Sequence, residues 1–189
     1  CPAGGCRSGA PFAGARFGML AANVIARDTG KPLLPGYGIR EYGGVKVAFI
    51  GVTLRATPIM LSPAARAGLE FRDEAETVNA LVPGLRRQGI EAIVVLLHQG
   101  GRTAGGPNEC VDPAGPIVDI VRRLDPAVDV VVSGHTHRAY ICNFDGRLVT
   151  SAGSYGRLLT EIDLRLDPVS RDVVSAQAVN HFVAPEIPP

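Results

Sequence analysis

Three continuous runs of apolar residues constrain the fold of this chain more than any other feature. They are VKVAFIGV at 45–52, AIVVLL at 92–97 and DVVVS at 129–133. Each run is short and rich in β-branched residues, which is typical of strands buried on both faces of a parallel sheet. Between them lie two segments with helical signals, 73–88 and 116–124. This β-α-β-α-β order predicts an α/β fold.

The predicted helices begin and end where their charges and caps indicate. The first segment, Asp73 to Gln88, has acidic residues in its first turn and arginines in its last, as the helix dipole favours, and Gly89 then ends it. We interpret Asp73, Glu74 and Glu76 as helix-start acids and not as a catalytic carboxylate pair. In the second segment Pro116 suits the first turn. Its apolar positions share one helix face: Ile117, Ile120, Val121 and Leu124.

Beyond residue 133 the apolar pattern changes to alternation, which predicts antiparallel strands joined by turns such as Asp145-Gly146. The four segments form a predicted β-meander: 140–144, 147–151, 157–166 and 172–183. Upstream, residues 1–35 read as an irregular lead-in with a short strand at 17–25. Residues 61–71 read as a connector and Gly43-Gly44 as a turn. The segment 184–189 resembles the beginning of an interdomain linker.

Charge and hydropathy exclude some partners. The formal net charge is +1 and the arginines form no basic block, so the charge predicts no attraction to nucleic acid or a membrane surface. No stretch of about 18 uninterrupted apolar residues is present, so no membrane span is predicted.

The four cysteines allow three disulfide pairings. They lie in loop-like surroundings without a Cys-x-x-Cys motif, which is compatible with two disulfides and an oxidising compartment. We favour the pairs Cys1–Cys6 and Cys110–Cys142, since the second pair lies in loops flanking the histidines described next. Four free buried thiols are the alternative.

Three of the four histidines follow predicted buried strands. His98 comes directly after AIVVLL, and His135 and His137 come after DVVVS within the sequence GHTH. Ligands collect outside the carboxyl ends of strands in α/β sheets, and a neutral imidazole suits Zn, Mn, Fe, Co or Ni. The pattern therefore favours a metal site over ordinary loop histidines. We expect Gly100, Gly101 and Gly134 to let the backbone pass close to a metal or phosphate.

Several motifs resemble those of the calcineurin-type metallophosphoesterases, and more narrowly the bacterial secreted 5′-nucleotidase branch. They are EYGGVKVAFIGVT, FRDEAETVNALVPGLRRQG, LLHQGG, GHTH followed by RAYIC, and LVTSAGSYGRLLTEIDL, which together cover nearly the whole chain. The resemblance implies part of a four-layer α/β/β/α sandwich. It also implies two divalent metal ions, about 3.5–4 Å apart, with a bridging hydroxide that attacks phosphorus in line.

Carried onto matching positions, the resemblance makes His98 and His135 ligands of one metal and His137 a ligand of the other. Arg138 could hold a phosphate oxygen or only cover the sheet edge, and no catalytic residue is assigned. Asn108 lies in a loop expected to overhang the metals, with its role open. We interpret Tyr155-Gly156-Arg157 as a bulge with a capped turn, and His181 as an ordinary strand residue outside the site.

The sequence also departs from the family. Three family motifs are absent: the early Asp-x-His, the bridging Asp and Asn-His-Glu. The tripeptide Asn180-His181-Phe182 does not replace Asn-His-Glu, because it lacks the acid. We therefore expect residues 1–189 to be the carboxyl-terminal portion of a catalytic domain, without the N-terminal metal-ligand half and the C-terminal nucleotide-binding domain. Alone, it should bind one divalent ion weakly and turn over no substrate.

The expected activity of the whole protein is hydrolysis of phosphomonoesters, with small 5′-nucleotides as the favoured substrates. A 2′,3′-cyclic-nucleotide phosphodiesterase and a UDP-sugar hydrolase are the enzymatic alternatives. A noncatalytic scaffold that binds a partner is the alternative from another class. The cysteines and the resemblance predict a secreted, periplasmic or cell-surface location.

Overall fold

The computed structural model describes residues 15–183. The predicted disulfide Cys1–Cys6 and the predicted linker at 184–189 lie outside these residues, as do residues 1–14 of the irregular lead-in. Within 15–183 the elements follow in this order: β1 Val24–Ala26, β2 Lys31–Pro32, β3 Tyr37–Tyr42, β4 Val45–Val52, a 3₁₀ turn Thr57–Met60, α1 Pro63–Arg66, β5 Leu69–Phe71, α2 Glu74–Arg87, β6 Ala92–Leu97, α3 Pro116–Arg123, β7 Val130–Val132, β8 Ala139–Phe144, β9 Arg147–Ala152, β10 Leu158–Asp167 and β11 Asp172–Phe182.

A six-stranded mixed sheet forms the centre of the fold, in the order β3-β4-β6-β7-β9-β8. The inner strands β4, β6, β7 and β9 run parallel, and the edge strands β3 and β8 pair antiparallel with their neighbours. The three apolar runs of the sequence are β4, β6 and β7, so the predicted β-α-β-α-β unit and the α/β class are confirmed. Its parallel strands bring the residues that follow β6 and β7 to the same edge of the sheet.

The two longer helices cover one face of this sheet. Val78, Val82 and Leu85 of α2 are at most 1% exposed and pack in one cluster with Ile50 and Ile93 of the sheet. The apolar face predicted for α3 is buried in the same cluster. This burial holds the helices on the sheet, since each fully buried aliphatic side chain contributes about 1.5–3 kcal/mol.

The caps of α2 agree with its sequence. The Asp73 carboxylate accepts a hydrogen bond from the Glu76 N–H at 3.0 Å. Glu74 is buried and accepts from the Arg55 N–H at 2.8 Å. Gly89, with φ of +71°, ends the helix. These acids are confirmed as structural, because their oxygens serve backbone groups of the helix start and of the neighbouring loop.

The predicted meander is present as two separate hairpins. Strands β8 and β9 join the main sheet, where β9 pairs parallel with β7. Strands β10 and β11 form a two-stranded sheet of their own. Ile162 and Leu164 of β10 pack against Val94 and Val130 on the face of the main sheet away from the helices. Alternation identifies strands but not the strands with which they pair. The prediction of one continuous meander was therefore wrong in its strand pairing.

The regions on either side of β3 and β4 are also more ordered than predicted. The strand expected at 17–25 begins only at Val24, and the connector 61–71 contains α1 and β5. Strand β5 pairs antiparallel with β1, which in turn pairs with β2. Buried Asn23 fastens this small sheet to the end of β4, because its side chain exchanges hydrogen bonds with the Thr53 backbone at 2.7 and 2.9 Å. In the described part of the chain, helices are too short or too polar to cross a membrane.

Asp129 precedes β7, and burial of its carboxyl group is the main reason that its pKa is raised to about 7. The nearby Asp172 raises it further, while the Ile93 N–H, at 2.8 Å from the carboxyl oxygen, acts in the opposite direction. Since the pKa in the folded state lies above the ordinary value of 3.8, the native state holds the proton more tightly than the unfolded state. The free energy of unfolding should therefore fall as pH rises from about 4 to about 7.

We expect Asp129→Asn to raise the free energy of unfolding at pH 8 by about 1–2 kcal/mol and to leave it nearly unchanged at pH 4. The amide oxygen can still accept from the Ile93 N–H, but no charge is buried. Urea unfolding across this pH range measures the effect. Asp163→Asn, on the exposed face of β10, is the matched control and should show little change. A less stable Asp129→Asn protein at pH 8 would contradict the expectation.

Candidate metal centre at the carboxyl edge of the sheet

The three predicted histidines lie where the parallel strands end. The His98 N–H donates to the Val52 carbonyl at 2.9 Å, so the pairing of β6 with β4 extends up to the histidine. His135 and His137 follow β7, whose last paired backbone group is the Ser133 N–H, bonded to the Thr150 carbonyl at 2.8 Å. All three imidazoles belong to exposed residues. The sheet therefore presents them to solvent at one edge.

The His98 and His135 rings contact each other edge to face. Their centroids are 5.2 Å apart and the planes make an angle of 65°. Two imidazoles that share one zinc ion, with Zn–N bonds of about 2.1 Å, have ring centroids on the order of 5 Å apart. The side chains are therefore already at the separation that a shared cation requires.

The His137 ring makes a different contact. It lies against the Tyr155 ring, with centroids 5.5 Å apart and an interplanar angle of 70°. Tyr155 belongs to the turn between β9 and β10, so a third part of the chain reaches the site. The structure thus brings His98 and His135 together and places His137 beside them in contact with an aromatic residue. Spacing alone could not reveal that contact.

The loop carrying His135 and His137 has an unusual backbone. Both histidines adopt the left-handed region, with φ of +69° and +57°. Such φ values are uncommon for residues other than glycine, and surrounding contacts must hold them. The Thr136 hydroxyl donates to the Gly101 carbonyl at 2.7 Å, and the Gly134 N–H donates to the Gln99 carbonyl at 3.3 Å. These bonds tie the loop after β7 to the loop after β6, and so set His135 against His98.

Two of the three predicted glycines have a packing role. A Cβ at Gly100 would overlap the Gly134 carbonyl oxygen and lie 2.7 Å from the Thr136 hydroxyl oxygen. At Gly101 it would overlap the Ala114 carbonyl oxygen. A Cβ at Gly134 would meet nothing within 4 Å. The close approach that requires glycine is therefore between protein loops at 100 and 101, and Gly134 shows none.

The loop between β6 and α3 is fastened at two points. The disulfide Cys110–Cys142 joins it to β8, which confirms this predicted pair. The Asn108 side chain accepts from the Asn180 N–H at 2.6 Å and donates to the Asn180 carbonyl at 3.1 Å, as a neighbouring strand would. Asn108, whose role the sequence leaves open, thus has a structural role, since it attaches the loop to β11.

The pKa of His98 is lowered, first by partial burial of the imidazole and then by repulsion from His135 and His137 when these are protonated. A lower pKa keeps the ring neutral, and a neutral ring nitrogen is the form that binds a metal. Competition between protons and a cation is therefore reduced at His98.

The remaining predicted residues contribute less. Arg138 is exposed, and its carbonyl accepts from the Ser151 hydroxyl at 2.6 Å. His181 lies in β11 with Nε2 2.9 Å from a Glu161 carboxylate oxygen, outside the site. Among residues 15–183, no cluster of three or more histidine, cysteine or acidic side chains could enclose a metal ion. The candidate metal donors that the structure brings into contact are thus the imidazoles of His98 and His135.

The chain has clear relatives, although no family model matches it. It is 32% identical over 167 residues to the endonuclease YhcR of Bacillus subtilis, across 88% of this chain. It is 33% identical over 168 residues to a cell wall protein of Listeria monocytogenes, across 83% of this chain. It is also 31% identical over 160 residues to a snake venom 5′-nucleotidase of Crotalus adamanteus, across 82% of this chain.

Solved structures share the fold. A 5′-nucleotidase precursor from Thermus thermophilus superposes with a TM-score of 0.69 at 25% identity, over 91% of this chain and 35% of that chain. The calcineurin-like phosphoesterase YfkN from Bacillus subtilis superposes with a TM-score of 0.73 at 21% identity, over 93% of this chain and 59% of that chain.

This chain is similar to 5′-nucleotidases and shares its fold with a calcineurin-like phosphoesterase. Its homologues include 5′-nucleotidases, so the predicted superfamily and branch are both confirmed. The chain spans 13%, 21% and 24% of the lengths of the Bacillus, Listeria and Crotalus relatives. It therefore corresponds to one part of much longer relatives, and those named 5′-nucleotidases are hydrolases.

Proposed function

We propose that this chain is the carboxyl-terminal portion of the catalytic domain of a metal-dependent phosphoesterase. In the longer protein, His98 and His135 would hold one divalent cation and His137 a second. The observation that carries the proposal is the contact between the His98 and His135 rings, 5.2 Å apart at the ends of neighbouring parallel strands. Zn, Mn, Co, Fe and Ni all suit imidazole donors.

The residues present fit this role as part of a ligand set. The imidazoles are exposed, and the lowered pKa of His98 favours its neutral form. No carboxylate joins them among residues 15–183, so the cluster lacks the negative charge that would hold two cations near each other. The family motifs that supply such carboxylates are the ones absent from this sequence.

Two divalent ions bound at such a site would supply a hydroxide nucleophile and neutralise charge on the phosphate oxygens. The chain's own contribution is to orient the imidazoles. The bonds between the two loops fix His135 against His98, and the disulfide and Asn108 fix the loop between β6 and α3, which follows His98. Arg138, exposed beside His137, is available to hold a phosphate oxygen.

The favoured substrates are small 5′-nucleotides, because several relatives are 5′-nucleotidases. A phosphodiester, such as a 2′,3′-cyclic nucleotide, is the second candidate. It is supported by the similarity to the endonuclease YhcR across 88% of this chain. The presence of all three histidines favours both enzymatic candidates over a noncatalytic scaffold. The disulfide and the similarity to a cell wall protein support a secreted, periplasmic or cell-surface location.

Phosphatase assays on two proteins test the proposal. We expect the 189-residue chain, supplied with Mn²⁺, Zn²⁺ or Co²⁺, to hydrolyse neither p-nitrophenyl phosphate nor AMP. We expect the full-length protein to hydrolyse AMP in a metal-dependent way and its His135→Ala variant to be slower by roughly 100-fold or more. A parallel panel of bis-p-nitrophenyl phosphate, 2′,3′-cyclic AMP and a UDP-sugar separates the candidates.

Ordinary turnover by the 189-residue chain would contradict its assignment as a partial catalytic domain. A full-length protein that hydrolyses none of these esters with any of the three metals would instead support the scaffold. His181→Ala is the matched control in the full-length protein. That imidazole is exposed but lies outside the site, and its removal should leave the rate unchanged.

A further inference from the structure

Tyr155 is an unusual residue for its position. Its side chain is 82% exposed, so it contributes little to any core. Its φ is +62°, in the left-handed region where glycine or asparagine is expected and a bulky side chain is an outlier. Neither burial nor backbone preference therefore accounts for a tyrosine here. The contact it makes is with the His137 ring.

The turn around Tyr155 is shaped to bring that ring to His137. Gly153 and Gly156 also have positive φ, +72° and +66°, so the chain reverses sharply on both sides of the tyrosine. Ser151, at the end of β9, bonds through its hydroxyl to the Arg138 carbonyl at 2.6 Å. Downstream, the Val183 N–H donates to the Arg157 carbonyl at 3.0 Å. The turn is thus attached both to the histidine loop and to the end of β11.

We propose that Tyr155 is a positioning residue for His137. An exposed imidazole on a loop ordinarily samples several rotamers, and an aromatic edge against its ring removes some of them. The tyrosine ring would hold His137 in the orientation from which it ligates a cation. The role of His137 as a ligand rests on the proposed function, whereas the restriction of its ring does not.

Spectra of the chain without metal test the restriction directly. With ¹³C/¹⁵N-labelled histidine, the His137 ring protons should show an aromatic ring-current shift in the wild-type chain and in Tyr155→Phe. The shift should be lost in Tyr155→Ala and Tyr155→Gly. A wild-type shift equal to that of Tyr155→Ala would overturn the proposal, whether or not a cation binds.

Titration of the full-length protein with Zn²⁺, followed at the same resonances, tests the consequence for binding, because the 189-residue chain alone is expected to hold one ion, at His98 and His135. Tyr155→Ala and Tyr155→Gly should weaken binding at His137 by roughly 2- to 10-fold, the range that one edge-to-face aromatic contact supports. Tyr155→Phe should bind like the wild type, and the His98 and His135 resonances should respond to Zn²⁺ equally in all variants. Equal affinity at His137 in wild type and Tyr155→Ala would overturn the proposal.

Stability separates positioning from a structural role. Tyr155→Gly relieves the left-handed backbone, so its Tm should be unchanged or higher while its affinity falls. Arg171→Gly is the matched control, since Arg171 has the same φ of +62° in the turn between β10 and β11. It should also keep or raise Tm, but leave the His137 spectrum and affinity unchanged. If no variant binds Zn²⁺, the proposed function fails, and the metal-free spectra still decide the positioning.

Discussion

Zn²⁺ is expected to bind the His98→Ala or His135→Ala variant of this chain at least about 100-fold more weakly than the wild-type chain. Each substitution removes a direct ligand, and even the loss of a residue that only orients a ligand lowers metal affinity by about 10- to 100-fold. The physical reason is the ring contact of 5.2 Å, which lets both nitrogens reach one ion. Isothermal titration calorimetry above the pKa of His98 measures the effect. The pH matters because a protonated imidazole cannot bind the metal.

The matched controls for this prediction are two other histidines. His181→Ala removes an imidazole that lies beside Glu161 and should leave the affinity unchanged. His137→Ala should have a smaller effect than the other two variants, because the His137 ring contacts Tyr155, whereas the His98 and His135 rings contact each other. Equal losses for His181→Ala and His135→Ala would show nonspecific binding to surface histidines.

Removal of the Cys110–Cys142 disulfide should lower the free energy of unfolding by about 3–4 kcal/mol, because the bond closes a long loop in the unfolded chain. The two cysteines are 32 residues apart in sequence. The loss is best measured by urea unfolding of the Cys110→Ser/Cys142→Ser variant. Hydrogen exchange should also become faster in the loop that carries Cys110, since the hydrogen bonds between residues 107–108 and Asn180 would then attach it to β11 without a covalent link.

The Cys1→Ser/Cys6→Ser variant is the control for this second prediction. Any bond between those two cysteines would close only a short loop, so its removal should cost less. A Cys110→Ser/Cys142→Ser protein as stable as the wild type would mean that Asn108 and its partner Asn180 already hold the loop without the disulfide.

The parallel part of the fold could be predicted because its signals are local. Strands β4, β6 and β7 are continuous apolar runs, and the helix at 74–87 is indicated by Asp73 at its start and Gly89 at its end. The strand-end position of His98 and His135 then follows from the direction of the parallel strands. Much of the architecture of a regular α/β unit can therefore be predicted from short stretches of its sequence.

The remaining features depend on contacts between distant residues. Asn108 bonds to Asn180, 72 residues away, and no local pattern indicates that partner. The division of the last four strands into two hairpins depends on how β9 meets β7. The contact of Tyr155 with His137 requires two turns from different parts of the chain to meet. Such pairings are set by tertiary packing, and alternation or spacing does not encode them.

X-ray absorption at the zinc edge tests most directly whether His98 and His135 share a cation. In the wild-type chain loaded with one equivalent of Zn²⁺, we predict two imidazole nitrogens at about 2.0–2.1 Å from the metal. In the His135→Ala variant, measured at a concentration that keeps the metal bound, we predict one. An identical imidazole count in the two proteins would contradict a shared site, as would a wild-type spectrum without imidazole ligands.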